Sequence, residues 1–261
     1  MQTTFSLQAM SSQLSDINTL SVSEHYNQHL GQIYSWMTGD FSAAVEGMTG
    51  YFNSLDLKPT ETGLAVDLGA GHGIQSVALA KLGFSVKAVD FCQPLLKELE
   101  ANAKNLTIET INDDILSFSN YVKSPVDVVV CMGDTLTHLE SPKHVTELVN
   151  QVAESLVKNG LLCTSFRDYT NNELEGDARF IPVRADNERI HTCFLEYEES
   201  SVRVSDIVHT RVSDGWNMTL SSYRKLRLSP STLEAIAKEY GLGLCHQSTR
   251  RGMHYITFKR S

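Results

Sequence analysis

The first half of the chain carries three closely spaced glycines, Gly69, Gly71 and Gly73. They follow the apolar run Leu64–Leu68, which is typical of a parallel strand covered on both faces, and they precede a helix predicted from Ile74. Glycine leaves no Cβ between the main chain and a ligand, and a helix N-terminus presents free N–H groups. A strand, a glycine-rich turn and a helix in this order predict a nucleotide-like ligand at the carboxyl edge of an open sheet.

Two carboxylates accompany these glycines. Asp67 stands two residues before Gly69, and Asp90 ends the next apolar run, where a carboxylate can accept both hydroxyl protons of a ribose. The dinucleotide fingerprint G-x-G-x-x-G would need a further glycine where the chain has Ile74. The pattern is instead Asp-x-Gly-x-Gly-x-Gly.

This combination resembles the class I S-adenosylmethionine-dependent methyltransferases. The resemblance implies that Gly69 and Gly71 line the methionyl part of the cofactor, that Asp67 lies below it and that Asp90 binds the ribose. The residues expected around the cofactor are Tyr26, Tyr34, Asp67, Gly69, Ala70, Gly71, Asp90, Phe91, Asp114, Ile115 and Met132.

Two of these expectations have structural alternatives. The resemblance implies that Asp114 meets the adenine amino group while Ile115 packs on the ring, but an aspartate here also suits a helix N-cap, and both roles are compatible. Tyr26, Tyr34 or Trp36 can close over the cofactor, or their helix can simply pack on the sheet edge. The spacing alone favours packing.

Later segments resemble the glycine N-methyltransferase branch more closely. The run Gly133–Leu139 stands where that branch has Gly-Asn-Ser-Phe-Ala-His-Leu, and Phe166–Tyr169 stands where it has His-Arg-Asn-Tyr. Tyr34–Asp40 and Leu220–Tyr223 match more loosely, and the tyrosine of the latter stretch faces the acceptor in that branch. The resemblance is specific over roughly residues 64 to 170 and is a matter of pattern outside them.

Four residues are candidates for the chemistry: Asp134, His138, Arg167 and Tyr223. Arg167 can anchor a substrate carboxylate, or it can pair with Asp168 or an acid of the later β-segment. His138 can assist proton loss from an amine, or it can be a helix-start or core histidine. Tyr223 is expected to border the acceptor.

Two departures from the branch bear on the substrate. Asp134 replaces an asparagine and is expected to add a negative charge beside the acceptor, which favours an amine. Phe41–Ala44 replaces arginines, so the cofactor carboxylate lacks its usual counter-ion. These departures count against glycine itself. We expect N-methylation of a small carboxylate-bearing amine, with O-methylation of a small acid and a non-catalytic cofactor-binding protein as alternatives.

Charge and composition exclude other classes. The formal net charge of −9 argues against a nucleic-acid partner, and Gly133–Leu136 is not the Asn/Asp-Pro-Pro-aromatic tetrapeptide of base methyltransferases. No apolar run reaches the length of a membrane span, and the N-terminus lacks a signal-peptide pattern. The five cysteines lack metal-ligand spacing, so we expect free thiols and no metal. We expect a cytoplasmic protein that acts on a small molecule, with a homodimer as one possible assembly.

The order of predicted elements indicates an α/β fold. Strand–helix units alternate up to a fifth strand at 161–166, and four β-prone runs with hairpin turns occupy 178–228. We predict a Rossmann-like seven-stranded methyltransferase sheet with helices on both faces, an N-terminal helical cap and an antiparallel β-meander inserted after strand five. The expected units are 1–58 as the cap, 59–170 as the cofactor-binding core, 171–228 as an acceptor lid, and 229–261 as a last helix and two core strands.

Overall fold

A computed structural model describes residues 19–171 and 173–261, and its centre is a seven-stranded sheet. The strands are β1 (Leu64–Leu68), β2 (Ser85–Asp90), β3 (Ile108–Asn112), β4 (Val126–Cys131), β5 (Leu156–Arg167), β10 (Leu242–Arg250) and β11 (Met253–Arg260). Their order is β3-β2-β1-β4-β5-β11-β10, with β11 antiparallel to both of its neighbours and all other pairs parallel. The predicted fold class is confirmed.

Helices cover both faces of this sheet because its central strands are apolar on both sides. Every residue of β4 is buried, and so are the last four of β1. The helices are α1 (Val22–Gln28), α2 (Tyr34–Thr38), α3 (Phe41–Ser54), α4 (Ile74–Lys81), α5 (Gln93–Asn102), α6 (Pro142–Ser155) and α7 (Pro230–Glu239). One apolar cluster lies between the sheet and α6–α7, and a second lies between the sheet and α3–α4. No helix among the described residues is long and apolar enough to cross a membrane.

A second sheet of four antiparallel strands follows β5. Its strands, in spatial as well as chain order, are β6 (Phe180–Ala185), β7 (Arg189–Tyr197), β8 (Ser201–Val212) and β9 (Gly215–Leu226). The predicted turns at 186–187, 199–200 and 214–215 all fall at the junctions of these strands. Thr19 forms a bridge with Ser222 of β9, so the start of the described chain runs beside the edge of this sheet.

The apolar spacing over 22–37 predicts one continuous helix. This prediction is wrong in one respect, because a 3-10 turn at Leu30–Gln32 divides the segment into α1 and α2. Gly31 lies in this turn, where an added Cβ would sit 2.7 Å from the carbonyl oxygen of Tyr26. The chain therefore folds back on α1 too tightly for a continuous helix. The expectation that residues 1 to about 20 are loosely docked falls outside the described residues except for Thr19 and Leu20.

The sequence predicts an amphipathic helix over 141–157 that Gly160 ends, and the boundary between α6 and β5 differs from this prediction. The helix ends at Ser155 and the strand begins at Leu156, so Gly160 lies inside β5 and does not end the helix. Asn159 before it has a φ of 62°, and the pairing with β4 shifts register at the start of β5. An irregularity within a strand can therefore imitate a helix stop in the sequence.

Candidate active site

A cavity opens at the carboxyl ends of β1, β2 and β4, at the edge where the sequence predicts a ligand. It is lined by ten of the eleven residues expected around the cofactor: Tyr26, Tyr34, Gly69, Ala70, Gly71, Asp90, Phe91, Asp114, Ile115 and Met132. His138, one of the four catalytic candidates, also lines it. We call this space the first cavity.

Asp90 organises the floor of the first cavity. One carboxylate oxygen accepts the N–H of Gly71 at 2.8 Å and the other accepts that of Cys92 at 2.7 Å. Each oxygen has a further lone pair, so the carboxylate can still accept two ligand hydroxyls. Burial nevertheless raises the pKa of Asp90.

Asp67 is the one expected cofactor residue that does not line the first cavity. Its buried carboxylate accepts the hydroxyl of Ser76 at 2.6 Å, and burial raises its pKa to about 7. The link from Asp67 to Ser76 ties β1 to α4, and the place of Asp67 below the methionyl part of the cofactor stays a prediction. Gly69 in that turn has a φ of 76°, and an added Cβ would collide with the side chain of Thr135.

The helices α1 and α2 close the cavity from the N-terminal side. Tyr26 of α1 and Tyr34 of α2 both line it, with ring centroids 6.1 Å apart, and burial raises the pKa of Tyr34 to about 12. Trp36 points elsewhere and donates its indole N–H to Asp186 in the β6–β7 turn at 2.5 Å. Asp114 caps the 3-10 turn Ile115–Asn120 and also lines the cavity, which keeps both of its predicted roles open.

Asp134 is buried in a charged cluster. Its carboxylate accepts Nζ of Lys225 at 2.9 Å, Nη1 of Arg167 at 3.0 Å and the main-chain N–H of Arg167 at 2.7 Å. Burial acts to raise the pKa of Asp134, but Lys225 and Arg167 outweigh it and hold the pKa well below its usual range. The pairing of Arg167 with Asp168 or a later acid is therefore not the one found.

The cluster overturns the expectation that Asp134 adds net negative charge beside the acceptor. With both cations it carries one net positive charge, counted as two cations and one carboxylate. Asp134 also has a left-handed backbone, with a φ of 76°, which a residue other than glycine adopts only when its surroundings enforce it.

His138 lines the first cavity, and Tyr223 is a residue of β9 in the second sheet. Nε2 of His138 is buried with no hydrogen-bond partner among the described residues, and burial lowers the pKa of this imidazole to about 3. Its ring lies edge-on to Tyr26 at 5.5 Å and to Tyr223 at 5.8 Å. Tyr223 is itself buried and stacks on His25, with ring centroids 4.2 Å apart. His138 is therefore held neutral at the wall of the cavity, and its Nε2 has no partner in the described part of the chain.

A second cavity of about 640 Å³ adjoins the first. The two share four lining residues, which are Phe91, Asp114, His138 and Leu139, and Lys225 lines the second. The remaining walls of the second cavity come from Thr19–Ser23, the start of α6 and the β8–β9 side of the second sheet. His138 therefore stands where the two cavities meet.

Comparison with known proteins gives this arrangement a family. A family profile described as "Methyltransferase domain" matches residues 65–160, the span that holds β1 to β4 and the glycine turn. A glycine/sarcosine N-methyltransferase from Aphanothece halophytica is 26% identical over 151 residues, which is 56% of this chain and 57% of that protein. Residues 65–160 therefore form a methyltransferase domain of the class I S-adenosylmethionine-dependent type.

Solved structures agree with the fold of this methyltransferase. The CcbJ methyltransferase from Streptomyces caelestis superposes with a TM-score of 0.76 at 18% identity, covering 92% of this chain and 99% of that one. CalS10 from Micromonospora echinaspora, an amino pentose methyltransferase solved with bound S-adenosylmethionine, gives a TM-score of 0.68 at 12% identity and covers all of both chains. The chain spans about half the length of the curated relatives it matches.

The first cavity fits the cofactor of this family. Gly69 and Gly71 have left-handed backbones and no Cβ at the cavity wall, and Asp90 keeps free lone pairs for a ribose. Ile115 and Met132 add apolar walls to the same cavity, as an adenine ring requires.

Sequence reasoning missed several residues of this methyltransferase site. Thr135 and Leu139 line the first cavity and lie in the stretch that resembles the glycine N-methyltransferase branch, so their signal was available. His72 follows Gly71 and also lines the first cavity, and its Nε2 is 3.1 Å from Oγ1 of Thr38, at the end of α2. Lys225 carried no signal, because a lone lysine in a strand pattern is ordinary.

Proposed function

We propose that this protein transfers a methyl group from S-adenosylmethionine to the nitrogen of a small amine that also bears a carboxylate. The observation that carries the proposal is the position of His138, a neutral imidazole where the cofactor cavity meets a second cavity lined by Lys225. The cofactor, when bound, supplies a methyl group on a sulfonium. The residues of this chain then have to hold an acceptor in line with that methyl and remove its proton.

The cationic cluster supports a carboxylate on the acceptor. Asp134, Lys225 and Arg167 together carry one net positive charge, and the side chain of Arg167 is 47% exposed. One Nη of Arg167 bonds to Asp134, which leaves other N–H donors of the guanidinium for an anion. In this proposal Asp134 orients the two cations and does not itself bind the nucleophile.

The aromatic walls and His138 support an amine as the nucleophile. Tyr26 lines the first cavity with its ring near His138, and tyrosine faces favour a cationic group within about 6 Å. An amine attacks as its neutral form, and the neutral imidazole of His138, which lines both cavities, can hydrogen-bond to that form. The name of the Aphanothece relative, a glycine/sarcosine N-methyltransferase, points to the same class of acceptor.

The second sheet would act as a lid over this acceptor. Tyr223 and Lys225 both belong to β9, and Lys225 reaches back across the chain to Asp134 in the core. The N-terminal residues Thr19–Ser23 line the same cavity as Lys225. The acceptor would thus enter between the N-terminal segment and β9, next to the positive cluster.

The first test concerns the cofactor. Calorimetry should detect binding of S-adenosylmethionine, and Asp90→Ala should weaken it by at least one charge-assisted hydrogen bond, about 1.5–3 kcal/mol. Asp56→Asn is the matched control, because the Asp56 side chain is exposed and pairs with Lys58 away from the cavity. Equal affinity in wild type and Asp90→Ala would show that the cofactor lies elsewhere.

The second test concerns the acceptor. A screen pairs small amino acids with the amines that lack their carboxylate, and mass spectrometry of the products assigns the methyl to nitrogen or oxygen. We expect N-methylated amino acids, and we expect Arg167→Gln to lower kcat/KM for them more than for the matched amines. O-methyl products would favour the alternative chemistry, and binding without turnover of any acceptor would favour a non-catalytic protein.

A further inference from the structure

A compact group of metal-ligating side chains lies in the second sheet, away from the cofactor cavity. His191 and Cys193 project from the same face of β7, and Asp206 of β8 is paired directly opposite Cys193. Nε2 of His191, Sγ of Cys193 and a carboxylate oxygen of Asp206 all lie within 4.8 Å of one another. Nothing in the methyl-transfer proposal uses these three residues.

We propose that His191, Cys193 and Asp206 form a binding site for a transition-metal ion of the zinc type. Imidazole, thiolate and carboxylate are the ligand types that Zn²⁺ takes in proteins, at about 2.0–2.3 Å from the metal. Tetrahedral ligands at those lengths are separated by about 3.3–3.7 Å. Sγ and Nε2 are already 3.7 Å apart.

The carboxylate of Asp206 is the part of the site that has to move. Its Oδ1 lies 2.8 Å from both Nε2 of His191 and Sγ of Cys193, at hydrogen-bonding distance. A shift of about half an ångström would open the separations that metal ligands need. Metal binding replaces the thiol proton of Cys193, and this proton is released to solvent.

The charge balance of the buried group favours a divalent cation. Asp206 and His191 are buried, and the Asp206 carboxylate contacts His191, Cys193 and His25 in the metal-free group. A divalent ion with one thiolate and one carboxylate forms a neutral group, so metal binding leaves no net charge in this buried site.

His25 of α1 supplies the outer support that metal ligands require. Its Nε2 contacts the other oxygen of Asp206 at 2.9 Å, and its Nδ1 contacts the hydroxyl of Ser221 at 2.6 Å. Hydrogen bonds of this kind fix a ligating carboxylate in one orientation. Because His25 also stacks on Tyr223, the group lies directly behind the wall of the proposed acceptor space.

One ligand of the proposed site, Asp206, borders a cavity. Asp206 lines a cavity of about 320 Å³ whose walls include Gln28, His29 and Arg189. Three protein ligands and a fourth position open to such a cavity would allow water or a small donor to complete the coordination.

The test uses the full-length protein, stripped with a chelator and then given one equivalent of Co²⁺ or Zn²⁺. We expect one metal ion per chain after gel filtration, and with Co²⁺ a thiolate-to-metal charge-transfer band in the near ultraviolet. Cys193→Ser should abolish the band, whereas Cys245→Ser, at an exposed cysteine outside the group, should leave it unchanged. His25→Gln should weaken Co²⁺ binding by about 10- to 100-fold, the range for a supporting residue.

Retention of well under one metal ion per wild-type chain, or a band that survives in Cys193→Ser, would overturn the inference. Circular dichroism of each variant verifies that it is folded, and Cys193→Ala provides a second removal of the thiol. Calorimetry with S-adenosylmethionine on the same samples separates the two proposals. Cofactor binding without a metal band overturns only the metal site, and a metal band without cofactor binding overturns only the methyl-transfer function.

Discussion

At the scale of single residues, Asp67 makes the stability of the fold depend on pH. Burial raises its folded-state pKa from 3.8 to about 7, so the protonated form is favoured in the folded protein. The stabilisation that Asp67 contributes is therefore complete below about pH 4 and is lost as pH rises through 7. The isosteric variant Asp67→Asn has a side chain that is neutral at every pH, so it lacks this pH-dependent loss of stability.

We expect the free energy of unfolding of wild type, relative to Asp67→Asn, to fall between pH 4 and pH 7 by about 1.4 kcal/mol for each pH unit. Urea denaturation of both proteins across this range measures the difference. Acids such as Asp134, whose folded-state pKa is lowered, change stability only below about pH 4 and cancel in the comparison. A difference that stays flat from pH 4 to 7 would show that Asp67 titrates normally.

Lys225 provides a second prediction at this scale, because it pairs with Asp134 at a site where both side chains are buried. Removing one member of a buried pair typically costs about 3–5 kcal/mol when the other charge is left without compensation. Asp134 keeps its two bonds to Arg167, so Lys225→Met should destabilise the protein by less than this, and Asp134→Asn in the same chain should recover part of the loss. A double-mutant cycle by chemical denaturation measures the coupling, and strictly additive effects would mean that the pair is not coupled.

These residues also show which parts of the site the sequence could reveal. Asp67, Asp90 and the glycines belong to one strand–turn–helix unit and the strand that follows it, and their spacing along the chain carries the signal. Lys225 and Asp134 are 91 positions apart, and they meet only because the second sheet folds back over the core. The sequence alone therefore could not show that cations balance the charge of Asp134. It also could not show that His25 contacts Asp206, 181 positions away.

At the scale of elements, the contact between α2 and the β6–β7 turn connects the cofactor cavity to the second sheet. Trp36 of α2 donates its indole N–H to Asp186 in this turn, and the guanidinium of Arg184 lies 5.5 Å from its ring centre. Tyr34, in the same short helix, lines the cavity. Strand and helix periodicity predicted both elements, but neither pattern contains the contact between them.

We expect Trp36→Phe to loosen α2 and to raise the dissociation rate of S-adenosylhomocysteine a few-fold. The loss of one exposed hydrogen bond costs about 0.5–1.5 kcal/mol, and this free energy corresponds to a change of a few-fold in the rate. Stopped-flow displacement measures the rate, and Trp216→Phe is the matched control, because Trp216 is an exposed residue of β9 outside the cavity. Identical rates in wild type and Trp36→Phe would show that α2 is held in place by other contacts.

At the scale of the whole molecule, three parts of the chain surround adjoining cavities. The N-terminal helices and the core sheet line the first cavity, and the second sheet joins the N-terminal segment around the second. The units anticipated from the sequence, a cap, a core and a lid, thus share their ligand-facing surfaces. We expect them to unfold together, because each covers apolar or charged groups of the others.

Cofactor binding tests this cooperativity. A ligand at 100 times its Kd stabilises the folded state by about 2.7 kcal/mol, which corresponds to a rise in Tm of about 5–10 °C for a chain of this size. Calorimetric scanning should show one transition that moves as a whole, and Asp90→Ala should move less at the same ligand concentration. A second transition whose Tm does not change with ligand would mean that the second sheet unfolds on its own. If that transition disappears in a chain lacking β6–β9, it belongs to the second sheet.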